Sequence, residues 1–554
     1  MSISRKWVLL VVLITTCAVF FPSLQNGFTG WDDNIYITEN ELISAITVAN
    51  VEAILTSPLS GNYHPLTMLV SMFEYSLFGN EALGYHVVSL VLHLVNVFLV
   101  FWFVRILTKS DCMALVVCFL FAVHPTKMEP VAWIADQKDL LSSLFLLLML
   151  IVYSSYRQSR RVGSFVCALL LFVMSFLAKA NGLFYPFILL LIDYYEEERI
   201  SLKALKEKTP FFLVSAIFGT VAIVARQSYQ SNLLEGMFSW FDTACLGLHR
   251  LVFYFLFRTV IPLSHSWLYP QPHKVFPPPA FIASAALVII LLAVALFYWA
   301  RRCRALHFGF LFFLLGLFPV LTVAIIGHTA DRFTYLPSIG IYFIVAYGLS
   351  VLSAKSFPHG RSKQIMGATL FLPLALLLVV STWQSAHRWK DGIALWSAAI
   401  SDHEKFSLAY YNRAESYYRD GEHEKAVADL GRAIEIEPAQ YKPYFLRGLV
   451  FFRKRQYPEA IADFSEVVEI KKDDEKSYNF RGLAHQLHGD DNAAMVDFSQ
   501  AVRINPEYAD AYHNRGALYY EIGALVPACN DLRQACKLGV CNYLQSLHSR
   551  GLCR

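Results

Sequence analysis

The sequence predicts an all-α protein in two parts, a membrane domain of spanning helices followed by a solenoid of paired helices. Two observations predict this fold class. The chain of 554 residues is 56% hydrophobic and only 16% charged, which is too apolar for a soluble protein of this size. The apolar character ends near Trp383, and the remainder is polar and repeats every 34 residues. The net charge of +4 is small, and no basic tract indicates nucleic-acid binding.

Long apolar segments predict eleven membrane spans in the first part. Short basic connections follow alternate spans, so the positive-inside rule places those connections in the cytoplasm. The parity holds only if 244–262, which carries His249, Arg250 and Arg258, lies at the membrane interface without crossing it. The N-terminus is then cytoplasmic and the repeats lie on the opposite side. The spans are expected at 7–24, 86–107, 112–124, 139–156, 163–179, 181–195, 209–225, 280–300, 305–326, 335–353 and 365–383.

The polar part closely resembles the tetratricopeptide repeat, a pair of helices that stacks into a superhelix with a concave groove. Small residues at the eighth and twentieth positions of each repeat let the two helices approach closely. Such repeats bind peptides or proteins and do no chemistry themselves. The repeats begin at Ser407, Tyr441, Glu475 and Ala509.

An arginine and an aspartate also recur in register in each repeat. Either they form ion pairs inside the array, which we favour, or they form a ladder of charges that grips a ligand. The arginines are Arg413, Arg447, Arg481 and Arg515, and the aspartates are Asp429, Asp463, Asp497 and Asp531.

These features predict four segments: a membrane domain over 1–390, a connector over 391–406, four repeats over 407–542 and a capping segment over 543–554. Four cysteines crowd the end of the array. Cys529 and Cys536 are seven residues apart on one predicted helix, about 10 Å by helical rise, and so cannot bond to each other. Nested disulfides, Cys536–Cys541 and Cys529–Cys553, would suit a helical hairpin in an oxidising compartment. Four reduced cysteines in the core are the alternative. The other six lie in or beside apolar segments: Cys17, Cys112, Cys118, Cys167, Cys245 and Cys303.

Asp32 and Asp33 follow the first apolar segment, in the sequence Gly-Trp-Asp-Asp-Asn. Two adjacent carboxylates at a membrane exit carry a desolvation cost. In such a crowded pair one pKa can rise into the range that suits a general base. A solvated acidic loop is the alternative interpretation.

Other polar residues gather at the predicted external ends of the spans. Carboxylates there could activate an acceptor hydroxyl, and cations could neutralise a departing phosphate. For each cation, anchoring at the membrane surface is the alternative. Because we find no glycine-rich nucleotide loop and no metal-ligand spacing, an activated sugar would arrive as a lipid phosphate. The candidate cations are Lys138, Lys179, Arg332 and Arg250, and the other candidate site residues are His64, His124, Glu129, Asp331 and Tyr335.

Several motifs occur in a specific order along nearly the whole chain: Trp-Asp-Asp at 31–33, Tyr-His-Pro-Leu-Thr at 63–67, His-Pro-x-x-x-Glu-x-Val-Ala-Trp at 124–133, Ala-Asp-Arg-Phe-Thr-Tyr-Leu-Pro at 330–337 and Trp-Lys-Asp at 389–391. Together they resemble the transmembrane and tetratricopeptide-repeat-containing O-mannosyltransferases and their bacterial relatives, which are multi-spanning glycosyltransferases of the GT-C class. The resemblance implies that Asp32 or Asp33 is the base, that the donor is a polyprenyl- or dolichyl-phosphate sugar, and that the anomeric centre is inverted.

We therefore expect a membrane glycosyltransferase that moves a sugar, with mannose as the candidate, to Ser or Thr hydroxyls of an acceptor bound by the repeats. The expected location is the bacterial inner membrane with periplasmic repeats, or else the ER membrane with lumenal repeats. Membrane lipids are expected partners, and a divalent metal at the Asp pair stays open. A scaffold for envelope or export partners and a lipid-linked-sugar transporter are the other function classes. A transporter would be expected to show internal repeat symmetry and mid-span charges.

Overall fold

The computed structural model describes residues 3–197, 201–229, 247–261, 303–323, 329–356 and 360–553, with 268–269, 286 and 289–290. Apart from two short strands and an isolated bridge, the regular elements described are helical. The prediction of an all-α fold is confirmed. The chain divides into two compact units, Met1–Leu395 and Trp396–Arg554.

The described part of the first unit is built mainly from apolar helices. Two strands, Leu268–Tyr269 and Thr329–Ala330, pair antiparallel. The α-helices are Ile3–Phe20, Val48–Thr56, Pro65–Phe78, Ala82–Thr108, Asp111–Val123, Met128–Ala132, Gln137–Ser159, Val162–Ala178, Tyr185–Glu197, Leu202–Glu207, Thr209–Tyr229, Phe257–Val260, Arg304–Val323, Ser338–Ser356 and Gly360–Ala386. Single turns of 3-10 or π-helix are Phe21–Gln25, Asn34–Thr38, Glu41–Ile43, Pro125–Lys127, Ile134–Asp136, Leu251–Leu256, Asp331–Thr334 and His387–Trp389.

Within the described ranges, four helices are long and apolar enough to cross a membrane: Arg5–Gln25, Ala82–Thr108, Ile134–Ser159 and Thr209–Gln227. A fifth crossing results if Asp111–Val123 and Pro125–Ala132, which meet at a bend of 62°, form one broken span. Three shorter apolar helices are Val162–Ala178, Arg304–Pro319 and Ser338–Leu352. The predicted span 280–300 falls almost entirely outside the described residues, as do Cys245 and the basic residues Arg199, Arg301 and Arg302. The total of eleven stays a prediction.

A buried lysine fixes the turn that follows the second short strand. The Lys127 ammonium group donates hydrogen bonds to the carbonyls of Thr334 and Tyr335, at 3.2 and 2.9 Å, and to the Ser338 hydroxyl at 2.7 Å. The Tyr335 hydroxyl lies 2.8 Å from His93 Nδ1. Moving this turn would leave the buried Lys127 ammonium group without partners, which is costly. The contacts therefore hold 331–338 against the helical core.

The second unit consists of four helix pairs, preceded by the helix Gly392–Asp402 and closed by Asn542–Ser549. The first helix of each pair begins at the residue that the 34-residue spacing predicted. Close approach within a pair requires a small residue, because a Cβ added at Gly448 would lie 2.8 Å from the Phe464 ring. The pairs are Ser407–Arg419 with His423–Ile436, Tyr441–Arg453 with Tyr457–Ile470, Glu475–His488 with Asp491–Ile504, and Ala509–Glu521 with Leu525–Lys537.

The recurring charges of the repeats bond to each other. In each pair the arginine Nε and Nη2 donate to both carboxylate oxygens of the aspartate sixteen residues later, at 2.7–2.9 Å. The favoured prediction of ion pairs inside the array is confirmed, since both charges are engaged within the repeat.

The structure joins the four C-terminal cysteines in two disulfides, Cys529–Cys553 and Cys536–Cys541. Cys529 and Cys536 lie on the same helix, Leu525–Lys537. The cross-links tie this last repeat helix to the segment that follows it, where Leu544 and Leu547 pack against Leu532. The nested arrangement closes the C-terminal end of the array.

Candidate active site

Asp33 is a buried carboxylate whose oxygens are occupied by neighbouring donors. Its Oδ2 accepts hydrogen bonds from the backbone N–H and the hydroxyl of Thr29, both at 2.8 Å, and its Oδ1 accepts from the Ala135 N–H at 2.9 Å. Burial raises the pKa of Asp33 from 3.8 to about 6 against the opposing effect of these donors, and the charge of Asp32 adds a smaller rise. Asp33 therefore pins the exit loop to the turn Ile134–Asp136.

Asp32 differs from Asp33 in exposure, in side-chain partners and in backbone conformation. Its side chain is partly exposed, and among the described residues its carboxylate has no hydrogen-bond or ion-pair partner. Its backbone φ of +60° lies in the left-handed region, which non-glycine residues enter rarely and often at functional sites. The Asp32 carbonyl accepts a hydrogen bond from the Tyr36 N–H at 3.0 Å. The loop thus presents a free carboxylate in a fixed position.

The charge of Asp32 acts on Tyr36, and a lysine and a histidine contact the Tyr36 ring in turn. The ammonium group of Lys138 is 4.3 Å from the centre of the Tyr36 ring, and the His64 ring centre is 5.2 Å from it. Burial, together with the charge of Asp32, raises the pKa of Tyr36 to about 12. Burial lowers the pKa of His64 well below 6.5, and Lys138 and Lys179 contribute to the shift. His64 is therefore neutral, whereas Lys138 forms no ion pair with any described carboxylate.

Lys179 is already neutralised by two aspartates. Its ammonium group lies 2.6 Å from Asp139 Oδ2 and 3.4 Å from Asp136 Oδ1. The other oxygen of Asp139 accepts a hydrogen bond from the Asn181 amide. The turn that carries Lys179 and Asn181 is thereby joined to the start of the helix Gln137–Ser159.

Arg332 forms a second ion pair, with the buried carboxylate of Glu129. Its guanidinium donates to Glu129 Oε1, and its backbone N–H donates to Oε2 at 2.8 Å. The guanidinium carbon lies 5.7 and 5.1 Å from the ring centres of Trp31 and Trp133, which stack on each other at 4.3 Å. Burial disfavours the arginine charge, but Glu129 offsets this and holds the pKa of Arg332 above its ordinary value.

The neighbouring Asp331 belongs to a separate ion pair. Arg258 Nη2 lies 2.9 Å from Asp331 Oδ2, which attaches the helix Phe257–Val260 to the turn Asp331–Thr334. Burial raises the pKa of Asp331 to about 7, against the lowering effect of Arg258. Asp331 thus holds a helix in place.

Three predicted candidates lie in other surroundings. His124 Nδ1 is 2.9 Å from the Thr126 hydroxyl, so this histidine caps a turn. The Tyr335 hydroxyl accepts a hydrogen bond from Asn96 at 3.3 Å in the helical core. Arg250 is buried next to the segment Leu251–Leu256, whose residues pack against the helix Arg304–Val323. The structure therefore does not bring these three residues together with Asp32.

A cavity lies between the turn that carries Lys179 and Asn181 and the turn Asp331–Thr334. Polar groups of Asp139, Asn181 and Arg332 line it, and the rest of its wall is mainly apolar. The apolar lining residues include Leu146, Tyr185, Pro319, Phe333 and Leu336. The cavity has a volume of about 30 Å3, room for roughly one water molecule, so it is a narrow cleft and not a preformed ligand pocket.

Within the described ranges, no three His, Cys, Asp or Glu side chains are grouped so that they could hold a metal ion. The other aspartates named here are engaged with protein groups, because Asp33 accepts three hydrogen bonds and Asp136 and Asp139 share Lys179. The described carboxylates therefore do not form a preformed cation site.

Two contributions to this site went unrecognised in the sequence. Tyr36 lies one helical turn after Asp32, and that spacing was the available signal. The Trp389 and Trp133 ring centres are 6.2 Å apart. The Lys390 carbonyl accepts a hydrogen bond from the Gly27 N–H at 2.8 Å. The segment that leads toward the repeats therefore contacts the loop that carries Asp32.

Comparison with known proteins supports both parts of the chain. Models of the tetratricopeptide repeat match residues 407–440 and 487–523. A Protein O-mannosyl-transferase of Caenorhabditis elegans is 22% identical over 455 residues, which are 78% of this chain and 63% of that protein. Protein O-mannosyl-transferase TMTC3 of Mus musculus is 22% identical over 79% of this chain and 52% of its own length. Protein O-mannosyl-transferase TMTC4 of Homo sapiens is 32% identical over 181 residues, 28% of this chain and 24% of that protein.

The resemblance found in the sequence motifs is confirmed by these relatives. The chain spans less than two thirds of the length of each of the three relatives.

Proposed function

We propose that this protein is a membrane glycosyltransferase of the GT-C type that moves a sugar from a polyprenyl- or dolichyl-phosphate donor to Ser or Thr hydroxyls of proteins. Mannose is the sugar that the names of the relatives support. The observation that carries the proposal is the Asp32 carboxylate, which has no partner among the described residues and is held in a left-handed backbone conformation one turn before Tyr36, whose ring Lys138 contacts.

Asp32 is the general base of the proposed reaction. The acceptor oxygen attacks the anomeric carbon while Asp32 takes the hydroxyl proton. The bond between the anomeric carbon and the phosphate oxygen breaks, and the lipid phosphate leaves with the bonding electrons. A single displacement of this kind inverts the anomeric centre and needs one base, in contrast to the paired carboxylates of a retaining enzyme.

Asp33 has a positioning role in this proposal. Three donors hold its carboxylate and the side chain is buried, so an acceptor hydroxyl does not reach it. Its bond to Ala135 joins the exit loop to the segment that carries Lys138, which keeps base and cation at a constant separation. Misplacing a catalytic group by 1 Å can cost about a hundredfold in rate.

Lys138 is the first candidate for the donor phosphate. Lys179 and Arg332 are balanced by the carboxylates of Asp139 and Glu129, whereas Lys138 pairs with no carboxylate in the part of the chain that the structure describes. Glu129 occupies only part of the Arg332 guanidinium, so Arg332 keeps N–H groups for a ligand. The Arg332 side chain also lines the cavity. Arg332 can therefore assist Lys138 through charge-assisted hydrogen bonds.

The proposed non-cytoplasmic orientation matches the disulfides of the C-terminal segment, because disulfides persist in oxidising compartments. In that orientation the repeats select the acceptor and raise its concentration near the membrane. A bacterial inner membrane with periplasmic repeats is the proposed location, with the ER membrane as the alternative.

The deciding experiment is sugar transfer by the purified full-length protein in lipid nanodiscs. Dolichyl-phosphate mannose with a radiolabelled sugar serves as donor, and a protein domain rich in Ser and Thr serves as acceptor. We expect labelled acceptor whose anomeric configuration is opposite to that of the donor. Absence of transfer from dolichyl- and polyprenyl-phosphate sugars, by protein that is folded and binds the acceptor, would favour a scaffold and refute the proposal.

The role of the repeats is tested separately. A protein that ends at residue 406 should still transfer sugar slowly to a concentrated short peptide but should no longer modify the full-length acceptor. Binding of the donor lipid by the truncated protein is the control for folding. Equal modification of the full-length acceptor by both proteins would refute the selecting role.

A further inference from the structure

We propose that a groove between the first helix and Ala82–Thr108 binds a phospholipid with an anionic head group. The groove has a volume of about 420 Å3, within the range of sites for small molecules. It is separate from the cavity beside Arg332, and the inference does not depend on the proposed transferase activity.

The walls of the groove are apolar and open to the side. The first helix contributes Leu9, Leu10 and Leu13, and the second contributes Phe98, Phe101 and Trp102. Both helices are long and apolar enough to span a membrane, so side chains that no other helix covers face the hydrocarbon. Leu10, Phe98 and Trp102 are 40–42% exposed. An acyl chain is the natural occupant of such a surface.

Two cations, Lys6 and Arg105, line the same end of the groove. Lys6 precedes the leucines of the first helix, and Arg105 follows the aromatic residues of the second, so the helices bring both charges to one level. Seven residues separate Lys6 from Leu13 and Phe98 from Arg105, which corresponds to about 10 Å by helical rise. The groove is therefore charged at the mouth and apolar along its length.

Positive charge remains at this end after the protein's own ion pairs are formed. Asp111 accepts hydrogen bonds from Arg105 at 2.7 Å and from Arg5 at 2.9 Å, so one carboxylate is shared by two guanidinium groups. Lys6 is exposed and forms no ion pair with any described carboxylate. Basic pockets between spanning helices bind anionic head groups, and each lysine or arginine near the membrane surface contributes roughly one kcal/mol of attraction.

The occupant is therefore a phospholipid of the leaflet on the predicted cytoplasmic side, with its phosphate near Lys6 and one acyl chain along the leucines. The aromatic ring of Trp102 lies beneath Arg105, whose guanidinium carbon is 5.6 Å from the ring centre. This contact holds the arginine over the groove, where it faces the head group.

Native mass spectrometry of the full-length protein tests the site. The protein is incubated with equal amounts of phosphatidylglycerol and phosphatidylcholine, and retained lipids are counted. We expect preferential retention of phosphatidylglycerol, a loss of about fivefold in its affinity for Lys6→Gln, and loss of both lipids from this groove for Leu13→Trp, which fills it. Arg161→Gln removes an exposed cation from another predicted cytoplasmic connection and should change nothing.

Lys6→Gln alters only an exposed side chain and so separates lipid binding from misfolding. Equal retention of the two lipids by the unaltered protein would overturn the inference. Equal phosphatidylglycerol affinities of the Lys6→Gln and Arg161→Gln variants would also overturn it. An effect of Leu13→Trp is accepted only if its unfolding temperature matches that of the unaltered protein.

Discussion

Replacing Asp32 by asparagine should remove catalysis and leave the fold intact. The carboxamide has nearly the same shape as the carboxylate but cannot take a proton from the acceptor hydroxyl. The side chain has no described partner to lose, and asparagine tolerates the left-handed φ of +60° about as well as aspartate does. We therefore expect the free energy of unfolding to change by less than about 0.5 kcal/mol.

The effect on rate follows from the role of the base. General base catalysis typically contributes about 10²–10⁴-fold, so kcat should fall by that factor, equivalent to roughly 3–5 kcal/mol in the activation free energy. Asp33→Asn should lower the rate less, because Asp33 acts only through the position of the loop. The two asparagine variants therefore distinguish proton transfer from positioning.

Initial rates of mannose transfer from dolichyl-phosphate mannose to an acceptor peptide provide the assay, with the apparent unfolding temperature as the control. Asp32→Gly keeps the left-handed backbone and opens space beside it, so added formate should restore part of its activity. Asp32→Asn protein that is folded normally and transfers sugar within tenfold of the original rate would refute the assignment. So would an Asp33→Asn variant that loses more activity than Asp32→Asn without losing stability.

Three further predictions follow from the same structure. Arg332→Lys should raise KM for the donor about tenfold with a smaller change in kcat. Lysine keeps the charge but lacks the planar guanidinium that Glu129 and a phosphate would share. An unchanged KM in a donor titration would contradict this. Asp33 has a raised pKa, about 6 against 3.8, so the folded state binds its proton more tightly. The Asp33 carboxyl therefore adds about 3 kcal/mol to the free energy of unfolding below pH 4, and this stabilisation is lost as the pH rises through 6. Thermal unfolding should show this loss between pH 4 and 7, and Asp33→Asn should reduce it; equal profiles would contradict the shift. Finally, a membrane-impermeant maleimide should label Cys529 and Cys553 in intact spheroplasts after reduction only, and labelling that requires lysis would overturn the orientation.

The repeats could be predicted residue by residue because their packing is local. Each helix pair needs small residues where the two helices touch, and this requirement recurs every 34 residues. The bond pattern from Arg447 to Asp463 likewise joins residues within a single repeat. Local periodicity therefore predicted helix starts and ion pairs alike.

The division of roles between the two aspartates could not be predicted in this way. The hydrogen bond that distinguishes Asp33 from Asp32 comes from Ala135, 102 residues later in the chain. The cations posed the same difficulty, because Arg332 is balanced by Glu129 across 203 residues. The sequence predicted which charged groups gather at the same membrane face but not which of them neutralise each other.

The motifs Trp-Asp-Asp and Trp-Lys-Asp are far apart in the sequence but pack together in the first unit. Trp31 stacks on Trp133, and Trp133 packs against Trp389. Gly27 bonds to the Lys390 carbonyl, so the exit loop is held at both its backbone and its aromatic side chain. Because the Asp32 side chain has no hydrogen-bond or ion-pair partner among the described residues, its position is determined by these neighbours. A change at Trp389 would therefore act on the proposed base without touching it, and the segment leading toward the repeats is part of the framework of the site.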